Sequence, residues 1–76
     1  MKLIIDIGNT STKIALFDRQ EIFATSNLSD LTFESVQQFV AKQNISATII
    51  SSVRDVDSQI SSISDHYDAL ILSDKH

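Results

Sequence analysis

The sequence predicts an α/β domain with a mixed five-stranded sheet of order 3-2-1-4-5, its second strand antiparallel and two crossover helices on one face. Three observations predict it. Leu3-Ile4-Ile5 and Ala47-Thr48-Ile49-Ile50 are short apolar runs of the kind that form central, buried strands. A short link joins the first run to the next alternating segment, which demands an antiparallel hairpin. Two stretches of helical periodicity separate the third, fourth and fifth strands, and right-handed crossovers through them travel one way across the sheet, so both helices cover the same face.

The first strand, about Lys2 to Ile7, turns Leu3, Ile5 and Ile7 to one side of the pleat and Ile4 to the other. The second, about Thr12 to Phe17, sets Ile14 and Leu16 against Ala15 and Phe17, and Asp18-Arg19-Gln20 is a solvated turn. A third strand, about Glu21 to Thr25, is followed by Ser26-Asn27-Leu28-Ser29-Asp30, which is polar enough for a loop. The first helix is expected over about Phe33 to Gln43, with Thr32 as N-cap, Glu34 favourable in the first turn and Asn44 as the C-terminal stop. Leu31 and Val36 have the spacing of a hydrophobic staple. Phe33, Val36, Phe39 and Val40 form one stripe, which core packing explains more simply than an aromatic ligand pair.

The fourth strand, about Ala47 to Val53, reads as buried and parallel to the first. Asp55 is the expected cap of a second helix from about Val56 to Tyr67, whose stripe is Val56, Ile60, Ile63 and Tyr67. Asp55, Asp57 and Asp65 invite a metal site, but capping and solvation account for them with less. A fifth strand, Ala69 to Leu72, runs out at Ser73-Asp74-Lys75-His76.

Composition excludes several functions. The 76 residues make one small domain, near the lower limit at which a core alone stabilises a fold. There is no cysteine, hence no disulfide, thiolate nucleophile or cysteine zinc site. His66 and His76 are too far apart to found a metal cluster and read as surface residues. A net charge of −4 with scattered lysines and arginines offers no basic face for nucleic acid. Met1-Lys2 before an apolar run resembles the start of a leader, but Asp6 cuts that run too early. No membrane-spanning stretch is present, so the expectation is a soluble cytoplasmic protein.

The chemistry concentrates at the end of the first strand, in Asp6-Ile7-Gly8-Asn9-Thr10-Ser11-Thr12-Lys13. Asp6 sits at the end of a rigid element and is costly to bury without a partner. Gly8, the one glycine of the chain, can take positive φ and lets a phosphate approach the backbone N–H groups. Asn9 and the three hydroxyls are short neutral donors, and Lys13 is a mobile cation for phosphate oxygens. Asp6 repels phosphate but can hold Mg²⁺ or its waters. The alternative stays open: Asn-Thr after Gly is ordinary hairpin chemistry, and Lys13 can be a solvated strand residue. Ser51 and Ser52 finish on the same sheet edge, where ligands collect in open α/β sheets, although strand-end or turn capping explains them equally well.

The Asp-x-Gly-Asn-Thr stretch with Lys13 three residues on is similar to the first phosphate motif of the actin-like ATPase superfamily, and in this form most resembles type III pantothenate kinase. Leu16-Phe17-Asp18, Asn27-Leu28 and Ser51-Ser52-Val53 extend the resemblance over essentially the whole chain. The element order likewise suggests a ribonuclease-H-like half. The resemblance implies an N-terminal lobe of a kinase that transfers the γ-phosphoryl of ATP to pantothenate, the first step towards coenzyme A. In that role Asp6 organises Mg²⁺, Gly8, Asn9, Thr10 and Lys13 hold ATP phosphates, and Ser51 and Ser52 line the same nucleotide site. It further implies a monovalent cation, K⁺ or NH₄⁺, that no residue here identifies, and a homodimer as the full-length protein. The general base, adenine contacts and pantothenate contacts are expected downstream. Nothing in the chain covers the second sheet face, so the chain is expected to be truncated and inactive alone. Alternatives are a regulatory protein of the Bvg accessory factor type, another small-molecule kinase of the superfamily, and a nucleotide-dependent filament protein.

Overall fold

The structure, a computed structural model, describes residues 1–73. The expectations for Asp74, Lys75 and His76 lie outside the described residues. The elements are β1 (Lys2–Ile7), β2 (Thr12–Asp18), β3 (Glu21–Leu28), α1 (Phe33–Val40), β4 (Ala47–Ser52), α2 (Ser58–Tyr67) and β5 (Leu70–Ser73). They form one five-stranded sheet in the order β3-β2-β1-β4-β5, with β2 antiparallel to its neighbours and β4 parallel to β1 and β5. Order and strand directions are those expected.

One face of the sheet is closed by both helices. Leu3, Ile5 and Ile7 of β1, Ile14 and Leu16 of β2 and Ile50 of β4 alternate onto this face and are fully buried against Val36 and Val40 of α1 and Ile60 and Ile63 of α2. The helices also touch each other. The Phe33 N–H donates to Gln59 Oε1 at 2.9 Å, satisfying one of the unpaired donors at the α1 N-terminus. The Phe33 and His66 rings meet edge to face, 5.0 Å between centroids.

The opposite face is open among the described residues, as expected, so β4 is buried on its helix side only. Ile49 of β4 is 38% exposed, and its partner in β5, Leu70, is 60% exposed. With half-buried Ile4, Ala15 and Phe17 they make an apolar sheet surface that no described residue covers.

β2 runs one residue further than expected, to Asp18, and β4 ends one earlier, at Ser52; four other elements differ for a tertiary or local reason. β3 runs on to Leu28, because Ser26 and Asn27 pair with Ile14 and Lys13; polar side chains on an edge strand do not stop the backbone from completing a ladder. α1 stops at Val40 instead of Gln43. Ala41 takes φ 54°, and Met1 holds the next segment: its ammonium donates to the Asn44 carbonyl at 2.8 Å and its carbonyl accepts from Ser46 N at 2.7 Å. Asn44 is thus a tether to the start of β1, not the helix stop. The α2 cap is Asp57, whose carboxylate accepts from Ile60 N at 2.9 Å, so Val56 lies before the helix and is 43% exposed. β5 begins at Leu70, since Ala69 N donates to Ser64 O at 3.0 Å and so belongs to the closure of α2, with Asp68 left-handed at φ 51°.

Candidate functional site

The β1–β2 link is where register brings the singled-out residues together. Antiparallel pairing opposes Asp6 to Lys13 and Ile7 to Thr12, and parallel pairing sets Ser51 beside Asp6 and Ser52 beside Ile7. Val53 N donates to Ile7 O at 3.1 Å and extends the parallel pair one residue further. Asp6, Lys13 and Ser51 therefore share the open face, while Thr12 and Ser52 are buried on the helix face.

Asp6 is exposed, so the desolvation cost anticipated for it does not arise; Lys13, across from it, is exposed as well. Both charged groups are open to solvent. Asn9, Thr10 and Ser11 are exposed in the turn above them. Gly8 does not use positive φ here. Its glycine identity has another cause: Gly8 N donates to Ser11 O at 2.9 Å, and an added Cβ would sit 3.1 Å from that same carbonyl oxygen. The link is a tight closure in which a side chain at position 8 would press on the Ser11 carbonyl and push it back by a few tenths of an ångström.

Two concavities adjoin this link. On the open face, one of about 520 Å³ is lined by Asp6 and Lys13 together with Ile4, Ala15, Phe17 and Asn27. Its size falls in the range of ordinary small-molecule sites. At the sheet edge, a small polar one of about 80 Å³ is lined by Gly8 to Thr12, Ser29 and Arg54. A third, of about 550 Å³ at Asp18 to Glu21, is the outside of the β2–β3 turn and gathers no residue of the motif.

The two serines separate. Ser51 stays with Asp6. Ser52 is 2% exposed, and its Oγ donates to the Arg54 carbonyl at 2.8 Å while accepting from Arg54 N at 3.0 Å. Its hydroxyl is fully used in fixing the turn after β4, which is the capping role left open for it. Arg54 is the residue that sequence reading passed over. Its signal was available: it is a cation just past the carboxyl end of a strand parallel to β1, the edge on which such sheets collect ligands.

Asp6 is a single exposed carboxylate at the end of β1, the kind of donor that with waters and phosphates can complete a Mg²⁺ shell. Among the described residues no group of three or more acidic or histidine side chains could hold a metal ion, so Asp55, Asp57 and Asp65 form no centre. Nor is any described helix long and apolar enough to cross a membrane.

Comparison with known proteins gives the family of the chain. The family model described as type III pantothenate kinase matches residues 2–72. Two curated relatives named type III pantothenate kinase, from Bacteroides fragilis strains ATCC 25285 and YCH46, are each 38% identical over 56 residues. The match covers 74% of this chain and 23% of each relative, so the chain spans about a quarter of their length. With nearly every described residue inside the family match, the chain belongs to the type III pantothenate kinase family.

Proposed function

We propose that this chain is the phosphate- and metal-facing lobe of an ATP-dependent kinase that phosphorylates the terminal hydroxyl of pantothenate, the first step of coenzyme A synthesis. The observation that carries the reading is the register: Asp6 opposite Lys13 and beside Ser51, directly beneath the Gly8-Asn9-Thr10 turn. A carboxylate and an ammonium on adjacent strands, under a turn rich in neutral donors, suit a polyphosphate chelating a divalent cation better than they suit either partner alone.

In this mechanism Lys13 offsets charge that develops on the transferred phosphoryl oxygens. Asn9 and Thr10 hold phosphate oxygens through neutral donors, and Gly8 keeps the turn tight enough for the backbone to take part. Asp6 is the residue that would hold Mg²⁺, whose chemistry is to bridge and neutralise adjacent phosphates. Among the described residues none identifies a site for K⁺ or NH₄⁺. The general base, the adenine contacts and the pantothenate contacts come from outside these residues, in a second domain and a homodimer partner. This agrees with the 23% coverage of the relatives and with the uncovered sheet face. The fold belongs with the ribonuclease-H-like, actin-like ATPases, whose clefts form between two such lobes, and the protein works in the cytoplasm.

The test is phosphopantothenate formation by the full-length protein. Asp6→Asn and Lys13→Ala should each lower kcat/KM by about 100-fold or more, the scale of losing one preorganised charge partner. Both side chains are exposed, so the folded state should be retained. The 76 residues alone should give no turnover. A folded, full-length wild type that leaves pantothenate unmodified sinks the kinase reading and favours the regulatory one.

A further inference from the structure

The polar concavity at the sheet edge has a composition that the motif alone does not explain. Its lining is the Gly8 to Thr12 turn with Ser29 and Arg54, and it contains no carboxylate. Hydroxyls and an amide surround it, and its one formal charge is a guanidinium. At about 80 Å³ it is several times the roughly 10–15 Å³ that a single water requires. A small anionic head fits this combination of size and charge.

Arg54 is held there by its backbone. The buried Ser52 hydroxyl bonds both the N–H and the carbonyl of Arg54, at 3.0 and 2.8 Å, and Val53 N is tied to Ile7 O. The bond from Val53 ties the turn after β4 to the end of β1, and the exposed Arg54 lines one concavity with the Gly8 to Thr12 turn. Arginine's planar fork binds two phosphate oxygens at once, which a lysine does not reproduce.

We propose that Arg54 binds phosphate oxygens of the nucleotide tail from the side opposite Lys13, and that Ser52 is its positioning residue. The inference rests on the nucleotide-site reading above and adds a second cation to it. The turn would then hold the phosphates between Lys13 on the open face and Arg54 at the edge.

The experiment uses the full-length protein, with ATP, ADP and adenosine as probes. Arg54→Ala should raise the KM for ATP and the Kd for ADP by about 10- to 100-fold, the usual worth of a charge-assisted contact. Adenosine affinity and the KM for pantothenate should stay within about two-fold, a smaller change than the loss of one good polar contact produces. Arg54→Lys should recover only part of the loss. Ser52→Ala should shift ATP and ADP in the same direction by a smaller factor, scored only if its thermal midpoint shows a folded protein. Arg54→Ala with wild-type KM for ATP, in an enzyme that turns over normally, overturns the role of Arg54 and leaves the kinase reading intact. A rise confined to the KM for pantothenate also overturns it. Wild-type protein that binds neither ATP nor ADP overturns both.

Discussion

Thr48 shows what a single atom costs in this domain. It faces the helices from β4, is 3% exposed, and its Oγ1 has no hydrogen-bond partner among the described residues. An unsatisfied buried hydroxyl costs about 1–3 kcal/mol, so Thr48→Val, which keeps the branched shape, should raise stability by about 1 kcal/mol. Urea unfolding of the two proteins decides it; equal midpoints would mean that the hydroxyl finds a partner in solution. The same scale explains the split between Ser51 and Ser52. Adjacent residues in a strand face opposite sides, so one joins Asp6 and the other is buried and consumed by the Arg54 backbone. Sequence alone named both serines without distinguishing them.

Among the elements, α1 depends most on its cap. Thr32 Oγ1 accepts from Ser35 N at 3.0 Å, while Ser35 Oγ accepts from Thr32 N at 3.1 Å, a reciprocal box with serine where Glu or Gln is usual. Only 8 residues long, the helix is too short to persist without such support. Thr32→Ala should cost about 1 kcal/mol and Thr32→Gly only a few tenths, measured by chemical denaturation. At the end of α2, Tyr67 packs edge to face on His66, 4.7 Å between centroids, and burial pushes its phenol above the ordinary 10.0. The folded state therefore holds this proton more tightly than the unfolded chain. The contribution is complete below pH 10 and is lost as pH rises through the folded-state value, so Tyr67→Phe should flatten the alkaline decline in stability. A decline of unchanged steepness in the variant would assign it to other groups.

For the whole molecule, the decisive property is its one-sided core. The helices bury one sheet face completely, whereas Ile49, Leu70 and Leu72 are 38%, 60% and 53% exposed on or beside the other. A contiguous apolar face of this kind promotes association. The 76-residue chain in isolation should therefore self-associate at micromolar concentration, or unfold at low denaturant, and sedimentation of a stable compact monomer would contradict this.

The sequence by itself determined the strand order, the strand directions, the helix face and the identity of the turn from Asp6 to Lys13. These follow from local quantities: the alternation of Leu3, Ile5 and Ile7, the length of the β1–β2 link and the handedness of crossovers. Tertiary structure decided where elements stop and which side chains meet. α1 ends early because Met1, 43 residues away from Asn44 in sequence, holds the segment after it. Asp6 is exposed because the second face is bare, and no periodicity within β1 reveals what lies over it. Arg54 lies beside the Gly8 to Thr12 turn through parallel register between strands 45 residues apart, since β1 begins at Lys2 and β4 at Ala47. The crossover rule already put the carboxyl end of β4 on the same sheet edge as that of β1, but which side chains meet there is set by the register of the folded sheet.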